Sequence, residues 1–349
     1  MLASCFGFVT AFALAYLAIP VIIRVSNQKK LYDRPNERSA HDEPTPSLGG
    51  IAIFAGTICG IVLWAPARTF GDLQYILAAL LIIFLLGIRD DLIPLSPIKK
   101  LLGQVLAALV LIYQSQVKIT TLEGIAGVQA LPEAVALGLS VIAIVGIVNA
   151  FNLIDGINGL AGSAGLLAGL FFGSWFVAVG HVEYAVLAFS LAGALAAFLR
   201  YNFAPARIFM GDTGAMLIGA VCAVLALKFI EINRSLLPET VLRFEAGPAI
   251  AVAALILPLF DTLRVIIRRV VHGKSPFHPD RSHVHHFMLD AGFTHLQATT
   301  ALVAVSACFL AGTVIFHSWG NTLLLLLEIS LALMLSYWLR RIVRHRASG

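Results

Sequence analysis

The sequence predicts an all-α fold, a polytopic membrane helix bundle, and three observations carry that prediction. Hydrophobic residues make up 59% of the chain and charged residues only 12%, where a soluble domain carries about 25% charged residues. The apolar residues gather into about eleven runs, each near the ~20 residues an α-helix needs to cross the hydrocarbon. Period-two alternation is missing from those runs, which argues against a barrel of strands.

The runs are centred near residues 14, 57, 81, 108, 141, 169, 191, 220, 255, 306 and 330. The first, from Leu2 to Ile23, has no basic residue before it, and Arg24, Lys29, Lys30, Arg34 and Arg38 follow it. That order is wrong for a cleaved signal peptide and right for a helix whose N-terminus faces outward. Alternating from there, segments 24–47, 89–100, 151–160, 200–212, 264–296 and 340–349 share one side and carry 19 of the 24 Lys and Arg residues. The other side keeps only Arg68, Lys118, Lys228, Arg234 and Arg243. Positive charge is retained inside, so the first group of loops and the C-terminus are expected in the cytoplasm. Topology accounts for the basic excess, and no nucleic-acid partner is implied. Cys5, Cys59, Cys222 and Cys308 stand singly in apolar runs, without metal-ligand spacing, and are expected as small core residues. Trp64, Trp175, Trp319 and Trp338 fall near expected helix ends, as in an aromatic belt. The whole chain, 1–349, is read as one integral membrane domain.

In the first cytoplasmic loop, Pro44 and Pro46 hold the chain extended before Gly49-Gly50 opens the second run. Lys29 and Lys30 suit anionic lipid headgroups or a phosphorylated substrate, and equally a role as topology determinants alone. After the third run comes Arg89-Asp90-Asp91, then Lys99-Lys100. Adjacent carboxylates repel, which raises one pKa unless a cation is near. The pair reads as a base, as part of a cation site, or as a cap paired with Arg89 or Lys99.

The central stretch, Asn149 to Gly162, places Asn149, Asn152, Asp155 and Asn158 at every third residue. Neighbouring pairs share a helical face, and Gly156 and Gly159 let the backbone turn. A single buried Asn commonly only bonds helix to helix, but four polar groups with an aspartate at membrane depth mark a functional site. Two runs later, Asp212 lies between Gly211 and Thr213-Gly214, where a helix N-terminus and a carboxylate organise a phosphate and its metal. Phe209 suits stacking on a base or packing between helices. The longest cytoplasmic loop carries Arg268-Arg269 on an amphipathic helix end, then Arg281, His283, His285 and His286. With no cysteine or spaced carboxylate to complete a tetrahedral zinc set, His and Arg donors to phosphate fit better.

Together these motifs resemble the polyprenyl-phosphate N-acetylhexosamine-1-phosphate transferases, glycosyltransferase family 4. The resemblance covers nearly the whole chain: Pro44 to Gly50, Asp90-Asp91 with Lys99, Asn149 to Leu160, Asn202 to Gly214, and Pro279 to His286, in order and on one side. It implies transfer of a sugar 1-phosphate from a UDP-sugar to a lipid phosphate with Mg²⁺ (or Mn²⁺), releasing UMP. It also implies Asp212 and Asn152 as metal ligands and Asp90, Asp91 and Asp155 as catalytic carboxylates. By the same resemblance Asn202 and Phe209 hold uridine, Asn149 and Lys99 bind substrate, and Arg281 with His283, His285 and His286 contacts pyrophosphate and sugar. Asn158 stands where many bacterial members have Asp, at a position associated with uracil; its amide still offers a donor and an acceptor.

The Ser275-to-His286 form is similar to the WecA-like N-acetylglucosamine branch. That implies UDP-N-acetylglucosamine as donor and undecaprenyl phosphate as acceptor in the cell inner membrane, with the first lipid intermediate of O-antigen, a common polysaccharide or teichoic acid as product. Another UDP-N-acetylhexosamine, or UDP-MurNAc-pentapeptide, is the alternative donor. A transporter is the competing class, but it expects polar residues at the midplane and a repeated half. The residues themselves agree with phosphoryl transfer, since hard oxygen ligands with Arg and His donors are what a charge-rich transition state requires. Direct displacement, a covalent phosphoryl-aspartate, and the oligomeric state, a homodimer included, stay open.

Overall fold

A computed structural model describes residues 1–33, 44–203, 205–273, 275 and 283–347. Every apolar run lies on helix: α1 Leu2–Lys29, α2 Gly49–Trp64, α3 Phe70–Leu92, α4 Pro97–Gln114, α5 Glu133–Ile154, α6 Leu160–Ala178, α7 Val182–Asn202 and α8 Gly211–Ser235. Then follow α9 Gly247–Ala254, α10 Ile256–Val271, the short α11 Val284–Asp290, α12 His295–Ile315 and α13 Asn321–Ala347. The multi-pass membrane bundle is therefore as expected, but the count of eleven spans is corrected. Among the described residues nine helices are long and apolar enough to cross a membrane, ten if the bent pair α9 and α10 is one span.

Two runs depart for identifiable reasons. At 16 residues, α2 is about 24 Å long at ~1.5 Å per residue, short of a full crossing. The run near residue 255 breaks into α9 and α10 at an angle of 82°. Pro258 has no N–H to give the carbonyl of Ala254, the residue at which α9 ends. Beyond the break, α10 carries Arg264, Arg268 and Arg269, which hydrocarbon would penalise.

The core is built around α8, whose residues are buried nearly all round, as an evenly apolar helix should be. It packs on α5, α3, α2, α6 and α9, while α1 lies against α7 and α2. Small residues set these distances, the usual device where lipid removes a hydrophobic drive between helices. A methyl group at Gly50 would overlap the backbone of Gly214, and one at Gly87 the backbone of Thr213. The start of α2 and the end of α3 therefore both rest directly on the first turn of α8. The segment before α2 also pairs with the one before α8: Phe209 N–H donates to Pro46 O at 2.7 Å, and Gly50 N–H to Met210 O at 2.8 Å.

Two lesser expectations change. Only Cys222 is buried; Cys59 is half-buried, and Cys5 and Cys308 face outward. Trp175 is a core residue, its indole bonded to Leu242 O at 3.0 Å and packed edge-on to Phe229.

Gly87→Ala should cost roughly 1–3 kcal/mol as a small-to-large change in a filled contact. Gly138, where nothing lies within 4 Å, is the control. Thermal unfolding in detergent should show a lowered midpoint for Gly87→Ala and none for Gly138→Ala; equal midpoints would refute the close approach.

Candidate active site

Four helix ends meet at one end of the bundle: the last turn of α3, the first of α4, the last of α5 and the first of α8. Each brings a charged or amide side chain from an otherwise apolar helix. Met210, at the N-cap position of α8, makes no side-chain cap. Asp91 of α3 supplies it instead. Its Oδ1 accepts from Asp212 N–H at 2.7 Å, and its Oδ2 from Thr213 N–H at 3.1 Å and Thr213 Oγ1 at 2.5 Å. An anion thus sits on the unpaired N–H groups and the positive pole of the helix. Asp91 thus caps α8 from another helix.

Asp90 faces differently. Its Oδ1 accepts from Leu95 N–H at 2.7 Å and its Oδ2 from Lys100 Nζ at 2.9 Å. Lys100 Nζ also donates to Asp212 Oδ1 at 2.9 Å and to Asn152 Oδ1 at 3.3 Å, and the Asn152 amide reaches the same Asp212 oxygen. Lys99, expected to bind substrate, is exposed; one residue on, and about 100° round the helix, Lys100 is the cation that enters the cluster.

The amides divide into two kinds. Asn149 exchanges two hydrogen bonds with Gln104 of α4, at 2.7 and 3.3 Å, and also donates to Val145 O. It is a staple between helices, one turn behind Asn152. Asn202, expected on uridine, is 4% exposed; it accepts from Gly159 N–H at 2.7 Å and donates to Ile208 O at 2.8 Å. Its amide bolts the end of α7 to the turn after α5 and to the strand-like segment before α8. The backbone of Asn158 is held from α12, by His295 Nδ1 on its N–H and Thr299 Oγ1 on its carbonyl. Phe209 is half-buried, with its backbone in the pairing to Pro46 and Gly49.

Asp155 ends α5 as its C-cap. Burial first, and then the negative charges of Asp212 and Asp91, push its carboxyl up to about 8. A divalent cation among these groups would reverse the last two effects.

The histidines approach from the side of α10 to α12. A buried carboxylate, Asp261 of α10, accepts from His283 Nδ1 at 2.8 Å, Val284 N–H at 2.9 Å and Arg264 Nη2 at 2.7 Å. Asp261 therefore sets which ring nitrogen of His283 carries the proton. Arg264 and Arg340 both lie over the ring of Phe287, at 5.2 and 5.0 Å. His285 packs its ring against Gly156, where any side chain would collide with it. Burial lowers His285 to about 3. That shift favours the neutral ring. Arg281 lies outside the described residues.

Sequence reasoning missed Gln104 and Asp261, although each is a polar residue inside an apolar run and so costly without a task. Gln104 also lies four residues after Lys100, on the same helical face. Thr213, whose hydroxyl binds Asp91, carried no such signal.

Comparison with known proteins follows the same outline. The model of glycosyl transferase family 4 matches residues 73–230. The chain is 34% identical to the undecaprenyl-phosphate alpha-N-acetylglucosaminyl 1-phosphate transferase of Haemophilus influenzae, over 84% of this chain and 81% of that one. It is 32% identical to the protein of the same name from Pasteurella multocida, over 97% of both. It is 31% identical to the decaprenyl-phosphate N-acetylglucosaminephosphotransferase of Mycobacterium leprae, over 88% of this chain and 83% of the relative.

Two outcomes follow from the geometry. Asp91→Asn leaves acceptors short at the α8 N-terminus and should lower stability by about 1–3 kcal/mol, read by thermal unfolding without substrate; an unchanged midpoint would remove the cap. Asp155 has a raised folded-state pKa, so its contribution to stability is full below pH 3.8 and lost as pH rises through about 8. In chelator, the melting midpoint should fall across that window, and Asp155→Asn should flatten the fall.

Proposed function

The chain belongs to glycosyl transferase family 4, and from that membership we propose that it transfers N-acetylglucosamine 1-phosphate from UDP-N-acetylglucosamine to undecaprenyl phosphate, releasing UMP. The observation that carries this reading is the Lys100 ammonium joined to Asp90, Asp212 and Asn152 at one end of the bundle. That end also carries most of the Lys and Arg residues, which supports a cytoplasmic face of the inner (plasma) membrane. A lipid phosphate confined to the bilayer and a nucleotide sugar confined to the cytosol meet there. The polar groups stand at one end and not at the midplane, which disfavours a transporter.

Among the described residues no three His, Cys, Asp or Glu side chains form a ready cage for a metal. Mg²⁺ does not need one, because it binds through one or two carboxylates together with substrate phosphates and water. The all-oxygen set of Asp212 and Asn152 fits it, and these two residues would hold it. Bound there, Mg²⁺ would neutralise charge on the pyrophosphate.

The remaining work falls to side chains already placed. Asp91 fixes the first turn of α8 and with it the direction of Asp212. Lys100 spends its three N–H donors on Asp90, Asp212 and Asn152. An arriving phosphate oxygen competes for the two given to Asp212 and Asn152, while Asp90 keeps the third and holds the ammonium in place. Asp155, at the end of α5 and in the electrostatic reach of Asp212 and Asp91, is the carboxylate that would take a proton from the lipid phosphate once ionised. The His283 segment, fixed by Asp261, closes the site from the α12 side and limits water.

Purified protein in detergent, given undecaprenyl phosphate, Mg²⁺ and a panel of UDP-sugars, should form lipid-linked N-acetylglucosamine. It should also return labelled UMP to UDP-N-acetylglucosamine only when the lipid-linked sugar is present. Asp212→Asn should lower kcat by about 10²-fold or more. A stronger rate with UDP-MurNAc-pentapeptide would reassign the donor. No transfer or exchange with any donor, alongside nucleotide uptake by sealed vesicles, would overturn the reading.

A further inference from the structure

The far end of α8 has its own charged depression. A cavity of about 380 Å³ lies between the loop after α4 and the last turns of α8, about 15 to 23 residues along the helix from Asp212. Ile119, Leu227 and Ile230 form its apolar wall, and Lys118, Arg234 and Glu231 its charged lining. The sequence leaves only five Lys and Arg residues at this end, Arg68, Lys118, Lys228, Arg234 and Arg243. Two of them line this one cavity, and a third, Lys228, adjoins it.

The charges do not cancel. Glu231 is paired with Lys228 at 3.0 Å, and Lys228 also donates to Gln116 O and lies over Tyr184. Arg234 donates to Thr120 Oγ1 at 3.4 Å and has Glu123 in its electrostatic reach, though Glu123 is shared with Arg243. The Lys118 side chain lines the cavity as a half-buried ammonium. Topology selects against cations at this end, so snorkelling alone does not account for their concentration beside an apolar wall. Lys118 and Arg234 line the same space, and an ammonium and a guanidinium are donors that phosphate oxygens take.

We propose that this cavity binds a phosphate group, with Lys118 and Arg234 on its oxygens and the apolar wall against its organic substituent. Two sources share that chemistry, a phospholipid headgroup of the facing leaflet and free phosphate. The proposal is independent of the transferase site.

The test is native mass spectrometry of the detergent-purified full chain with phosphatidylglycerol, and separately thermal unfolding with millimolar inorganic phosphate. Wild type should retain phosphatidylglycerol, or gain thermal stability from phosphate, with an affinity about tenfold or more above that of the Lys118→Gln, Arg234→Gln double variant. Arg68→Gln, outside the cavity, should behave as wild type, and all three proteins should keep the same transferase rate. Retention of the lipid without a phosphate effect identifies the headgroup; a phosphate effect without lipid retention identifies the soluble anion. Equal binding by wild type and the double variant, or no binding of either probe, overturns the proposal. If the double variant fails to fold, Lys118→Gln alone carries the comparison.

Discussion

The carboxylate of Asp91 on the first turn of α8 is the contact on which the rest of the molecule depends. The most buried helix in the bundle must begin somewhere, and its first N–H groups need an acceptor where water is scarce. Asp91 provides it from α3. The approach is possible because Gly50 and Gly87 let two other helices rest on the backbone of Thr213 and Gly214. That one junction aims Asp212, orients α8 through the core, and places the start of α4 so that Lys100 lies among three acceptors. A cation held by fixed oxygens in a partly dry setting needs little reorganisation when charge arrives, which is the electrostatic condition for phosphoryl transfer.

Much of this was legible in the chain itself. The apolar runs located every helix of the bundle but the short α11, and the polar residues that interrupt them named Asp90, Asp91, Asn152, Asp155 and Asp212 as neighbours. What escaped was angular. Lys99 and Lys100 are equivalent in composition and differ only by a rotation about α4. The bend at Leu255 was encoded in Pro258, yet a hydropathy run cannot tell a straight helix from one whose carbonyl has lost its donor. The enclosure of His283, His285 and His286 was hidden for a related reason, because a loop sequence does not show which side chains the fold will bury.

Amides of the same residue type serve different ends according to what surrounds them. Asn149 and Asn202 have their polar atoms committed to Gln104 and to backbone, and hold elements in register. Asn152, one turn from Asn149, turns its amide to Asp212 and Lys100. The motif is therefore an alternation of scaffold and chemistry along one helix end. A substitution at Asn149 or Asn202 acts through geometry, and one at Asn152 acts on the charge balance directly.

The contacts made by α11 and α12 bear on how the protein is synthesised. The family match ends at residue 230, but the turn carrying Asn158 is held by Thr299 and His295, and the ring of His285 rests on Gly156. The cluster's aspartates and Lys100 all precede the end of α8 in the chain, while the segments that clamp the Asn158 turn follow it. The turn beside Asp155 is therefore braced only once the last third of the polypeptide has folded back onto it.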